Sequence, residues 1–76
     1  MPNDTEAMAL AVIRLLHEAT GGEAMQWRTV RRIDGATEGA VAFAVARGWL
    51  VEDASRRVAL TEVGRQLAEE LGRPLH

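Results

Sequence analysis

Nine basic residues, every one an arginine, stand in this chain against eleven carboxylates, and the arginines are unevenly spread. Arg28, Arg31 and Arg32 lie within residues 25–33, a stretch that carries +3 while the segments on either side are acidic. Arg56 and Arg57 form a second, shorter run. A planar guanidinium fork matches the oxygen geometry of phosphate, so such clusters suit a phosphate-rich partner. Contacts of this kind fix a protein's register on nucleic acid without reading its sequence. The opposing reading is internal pairing: Glu23, Asp34 and Glu38 could neutralise the first cluster, and Glu52 and Asp53 the second. The net charge of -2 excludes a binder held by bulk positive charge, so any contact with nucleic acid must come from a local patch.

Nucleophilic and metal chemistry find little to work with. There is no cysteine, the only serine is Ser55, and the only histidines are His17 and His76. His17 has no second histidine three or four residues away to complete a metal pair and reads as a surface or boundary residue. Gly21, Gly22 and Gly35 lack both the spacing and the following lysine of a phosphate loop. Glu62, Glu69 and Glu70 read as a solvated helix face. The expectation is a protein that is not an enzyme and has no metal or cofactor.

The elements that must position the arginines follow from length and periodicity. A chain of 76 residues supports one domain over 1–76, and its 47% hydrophobic and 26% charged residues exclude a disordered polyelectrolyte. The longest apolar runs, 7–13 and 40–46, fall far short of the ~20 residues of a membrane span. With no cysteine and no stretch resembling a secretory leader, the expected location is the cytoplasm.

A first helix is expected from Asn3 or Asp4, with Asn3 as cap, an apolar stripe of Met8, Val12, Leu15, Leu16 and Ala19, and a stop at Gly21 and Gly22. A second is expected over residues 25–33, where Trp27, Val30 and Ile33 recur every three positions and Arg28, Arg31 and Arg32 take the opposite side. Thr37 caps a third helix that runs to Arg47 and stops at Gly48. Two short strands around 49–51 and 57–60 form a hairpin through a polar loop. Thr61 then caps a fourth helix with Val63, Leu67 and Leu71 at intervals of four. Trp27, Trp49 and Phe43 read as core residues.

The run Ala46-Arg47-Gly48-Trp49-Leu50-Val51, and then Leu60-Thr61-Glu62-Val63-Gly64, resembles the end of winged helix-turn-helix domains in MarR-type and related bacterial transcriptional regulators. The likeness covers nearly the whole chain. It implies a mainly α (α+β) fold: a three-helix core, a two-stranded hairpin wing and a C-terminal helix. It also implies that residues 25–33 cross the DNA backbone and 37–47 enter the major groove. The expected DNA-contacting residues are therefore Arg28, Arg31, Arg32, Thr37, Glu38, Arg47, Arg56 and Arg57.

The third helix weakens this expectation, because no Arg, Lys, Asn or Gln lies between Thr37 and Ala46 to read base edges. Only Thr37, Glu38 or Arg47 could reach a base by hydrogen bond. The two functions to weigh are a transcriptional regulator gripping duplex DNA mainly by its phosphates, and a protein-interaction module without DNA binding. A homodimer through the first and last helices, or through the third, fits either.

Overall fold

The computed structural model describes residues 4–33 and 35–72. Its elements are α1 (Asp4–Ala19), β1 (Arg28–Thr29), a single 3-10 turn (Val30–Arg32), α2 (Glu38–Ala46), β2 (Leu50–Glu52), β3 (Arg57–Leu60) and α3 (Glu62–Gly72). The class is α+β, with three helices and a three-stranded antiparallel sheet in the order β1-β3-β2. The expected count was four helices and two strands. No described helix is long and apolar enough to cross a membrane.

α1 is the central rod. Ala9, Val12, Ile13 and Leu16 recur at steps of three and four and are all buried, and this face packs against both α2 and α3. Leu15, expected on the inner stripe, is 39% exposed because it sits one position off that face. Termination is as the glycines imply. Gly21 and Gly22 take positive φ, and the Gly22 N–H reaches the His17 carbonyl at 2.8 Å. The Asn3 cap lies outside the described residues.

The helix expected over 25–33 is absent. Met25 has φ 61°, which starts no helix, and its N–H donates to the Leu60 carbonyl at 2.9 Å. Arg28 and Thr29 then pair with Val58 and Arg57, and the Val30 N–H reaches the Arg56 carbonyl at 3.0 Å. The tertiary partner outweighs local periodicity here. Trp27, Thr29 and Val30 are strand formers, and β3 presents an open edge whose backbone groups need partners. Only Val30–Arg32 retain a helical twist.

The next elements follow their sequence signals. The Thr37 hydroxyl accepts the Ala40 N–H at 3.1 Å and so caps α2, which buries Ala40, Val41 and Ala44. At its other end Gly48 has φ 77°, its N–H donates to the Val45 carbonyl, and the Trp49 N–H donates to the Ala44 carbonyl. That is a Schellman stop, with the expected apolar contact supplied by Phe43 and Trp49, whose ring centres lie 5.9 Å apart. Both rings pack against the core. Trp27, by contrast, is half-buried and lies outside the core cluster.

Thr61 joins the hairpin to α3. Its hydroxyl donates to the Gly48 carbonyl at 2.5 Å and accepts the Gly64 N–H at 3.0 Å, while its own N–H donates to the Trp49 carbonyl. The inner face of α3 is not the stripe of Val63, Leu67 and Leu71. Val63 is 58% exposed and Leu71 38%, whereas Gly64 and Ala68 are buried with Leu67 beside them. Small residues win because the backbones come close: a Cβ on Gly64 would collide with the Trp49 carbonyl.

Gly64→Ala is therefore expected to destabilise the fold by about 1–3 kcal/mol, the range for forced overpacking. A urea titration followed by circular dichroism measures it. An unchanged midpoint would mean that α3 does not dock this closely.

Candidate nucleic-acid interface

The pairing of β1 with β3 brings the two arginine runs together along the backbone, since Thr29 stands opposite Arg57 and Val30 is bonded to Arg56. Their side chains, however, have different partners. Arg28 lies in a strand, not on the outer side of a helix. Its Nη1 donates to the Trp27 carbonyl at 2.9 Å and its Nη2 to the Ala19 carbonyl at 3.3 Å. The guanidinium thus sits on the negative C-terminal end of α1, where a cation is favoured.

Arg31 and Arg32 are exposed, and neither has a carboxylate within ion-pair reach among the described residues. Of the three carboxylates weighed as their partners, Glu23 accepts from Gln26, Glu38 turns to the hairpin, and Asp34 lies outside the described residues.

The hairpin arginines are paired, as the opposing reading anticipated. Arg57 holds Asp53 through Nε at 2.8 Å and Nη2 at 2.7 Å, with its Cζ 5.9 Å from the Trp27 ring centre. Asp53 also accepts the backbone N–H groups of Arg57 at 3.0 Å and Ser55 at 2.9 Å, which shapes the turn. Arg56 has φ 62° and reaches across to α2, 3.2 Å from Glu38 and 3.7 Å from Glu52. Glu38 as a partner of Arg56, 18 residues away, has no local sequence signal.

Glu38, Val41, Ala42, Glu52 and Arg56 line a shallow cavity of about 180 Å³ between α2 and the hairpin. Two carboxylates and one guanidinium leave that groove acidic. The exposed positions of α2 are Glu38, Gly39, Ala42, Val45 and Ala46, none of which carries a side-chain hydrogen-bond donor. The Thr37 hydroxyl accepts a hydrogen bond as the helix cap, and Arg47 lies over the Phe43 ring, 4.8 Å from its centre. His17 is half-buried, with Nε2 unpartnered among the described residues. Those residues also contain no cluster of three or more His, Asp or Glu able to hold a metal ion.

The arrangement therefore unites the backbone of both arginine runs and exposes Arg31 and Arg32. It removes Arg28 to a helix end and restrains Arg56 and Arg57 with carboxylates. Neither a known protein family, nor a curated protein, nor a solved structure matches the chain.

The backbone N–H of Arg57, with help from Ser55 and the Arg57 side chain, holds the Asp53 carboxyl below its ordinary 3.8. A carboxyl whose folded value is depressed stabilises the fold above its unfolded value, and that contribution is lost as pH falls through the folded value. Thermal melts should thus show a falling midpoint below about pH 4. Asp53→Asn should remove part of this slope while lowering the midpoint at pH 7. Parallel pH profiles for the two proteins would refute the assignment.

Proposed function

We propose that this chain is a winged helix-turn-helix domain that binds duplex DNA through backbone phosphates and acts as a transcriptional regulator. The observation that carries the reading is the β1–β3 pairing, which draws the segment bearing Arg31 and Arg32 alongside Arg56 and Arg57 on an otherwise acidic chain. The order helix, strand, turn, helix, hairpin, helix is compatible with such a domain, with α2 as the helix offered to the major groove and the β2–β3 turn as the wing. The 3-10 turn stands where the backbone-crossing helix would be.

The phosphate contacts in this reading are Arg31, Arg32 and Arg56. Arg56 is available because it is 58% exposed and Glu38 84% exposed; a pair so open to water contributes at most about 1 kcal/mol. Arg28 and Arg57 act indirectly, by holding α1 and the hairpin turn. With no side-chain donor on the exposed face of α2, binding is sequence-tolerant and dominated by counterion release.

A second reading, a module that docks a protein partner or a second copy, is favoured by one specific observation. The groove between α2 and the hairpin is acidic and the exposed face of α2 is apolar, which suits a protein surface better than a phosphate backbone.

One titration separates the two. Binding of a labelled duplex, followed by fluorescence anisotropy across a salt series, should weaken steeply with salt. Arg31→Glu should abolish most of it, and Arg56→Asn should reduce the salt slope by about one. Glu38→Gln should strengthen binding, because it frees Arg56 and removes a charge that repels phosphate. The absence of binding to any duplex at low salt, together with dimers in sedimentation, would replace the first reading with the second.

A further inference from the structure

The end of α1 and the 3-10 turn border a second, open-mouthed cavity of about 180 Å³, lined by Leu15, Leu16, Ala19, Arg28, Arg32 and Ile33. At roughly 30 Å³ per water it has room for a hydrocarbon body of about six heavy atoms. Four of its six lining residues are apolar, and Leu15 leaves 39% of its surface uncovered.

The two guanidiniums at this cavity are not equivalent. Arg28 is fastened to the Trp27 and Ala19 carbonyls, so its charge offsets the negative end of the α1 dipole. An anion approaching that end would otherwise be repelled. Arg32 has no hydrogen bond and no carboxylate partner among the described residues, and its fork is the excess positive charge of the site.

We propose that this cavity binds a small aliphatic carboxylate, with its hydrocarbon chain against Leu15, Leu16, Ala19 and Ile33 and its carboxylate on the Arg32 fork. One open guanidinium matches one carboxylate in a bidentate pair. Inorganic phosphate fits worse, because a strongly hydrated anion would have to shed water against apolar walls. An aliphatic amine would set a cation against the Arg32 and Arg28 guanidiniums. Arg32 is shared with the phosphate contacts proposed above, so DNA and a carboxylate would compete for it, and binding measured without DNA tests the cavity by itself.

Sodium hexanoate is the probe, titrated into the full ¹⁵N-labelled chain, with hexanol, hexylammonium chloride and sodium phosphate as parallel arms. Hexanoate should give saturable amide shifts at Leu15, Leu16, Ala19 and Ile33. Hexanol should bind about tenfold more weakly, and the amine and phosphate should leave those amides unmoved. Arg32→Gln, at an exposed position where the amide spectrum reports that the fold is kept, should weaken hexanoate about tenfold, while Arg31→Gln should leave it unchanged. Equal binding of hexanol and hexanoate, shifts from phosphate at the same amides, or hexanoate binding indifferent to Arg32→Gln would each overturn the proposal.

Discussion

A strand of two residues holds the layout of this small protein. Arg28 and Thr29 pair with Val58 and Arg57, and the ladder is extended on either side by Met25 bonded to Leu60 and Val30 bonded to Arg56. β3 is buried along Val58, Ala59 and Leu60 and has β2 on only one side. Without β1, its other edge would leave backbone groups beside an apolar core, at about 1–3 kcal/mol for each group left unsatisfied. The pairing also decides topology. It forces the chain after α1 to run in extended form along the edge of the sheet before the 3-10 turn redirects it into α2.

The core that this ladder closes is built largely from small residues. Ala9, Ala40, Ala44, Ala59 and Ala68 are buried alongside Val12, Ile13, Leu16, Leu50 and Leu60, and Gly64 lies against the Trp49 backbone. Small side chains let α1 approach both other helices closely, so packing density substitutes for side-chain bulk. The same choice explains why large apolar residues such as Val63 and Leu71 are left at the surface. At Gly64 the inner face of α3 has no space for a side chain.

Elements defined by local chemistry were legible in the sequence. Thr37 and Thr61 each accept the N–H three residues on, Gly21, Gly22 and Gly48 each take the left-handed conformation, and the hairpin strands pair within one residue of their expected bounds. What was not legible depends on partners distant in sequence. Trp27, Val30 and Ile33 fit a helical period, yet the same residues are good strand formers. The edge that decides between the two readings lies some thirty residues downstream, at Arg57 and Val58. In α3 the interval of four in Val63, Leu67 and Leu71 meets the core only at Leu67, because the approach of the Trp49 backbone turns Gly64 inward and leaves Val63 at the surface. The candidate site divides in the same way. The pairing of Arg57 with Asp53 is four residues long and was foreseeable, while Arg28 on Ala19 and Arg56 on Glu38 exist only once the sheet has formed.

In a chain whose cations are all arginine, the charge arithmetic of the sequence overstates what is free to bind. Arg28 serves the end of a helix, Arg57 a turn carboxylate that also accepts two backbone N–H groups, and Arg65 the flanking Glu62 and Glu69 along α3. Each of these guanidiniums is fixed by a group that would be left poorer by its departure. Arg56 differs in kind. Its partners Glu38 and Glu52 sit on other elements, carry no second hydrogen bond to it, and hold it through long, solvent-exposed side chains whose ordering costs nearly as much as the attraction returns. Arg31 and Arg32 have no such tether among the described residues. Around the 3-10 turn and the hairpin the usable positive charge is therefore three guanidiniums, Arg31, Arg32 and Arg56, while Arg14 on α1 and Arg47 after α2 lie apart from them. Glu38 and Glu52 stand beside Arg56 and set how readily an external anion can take their place.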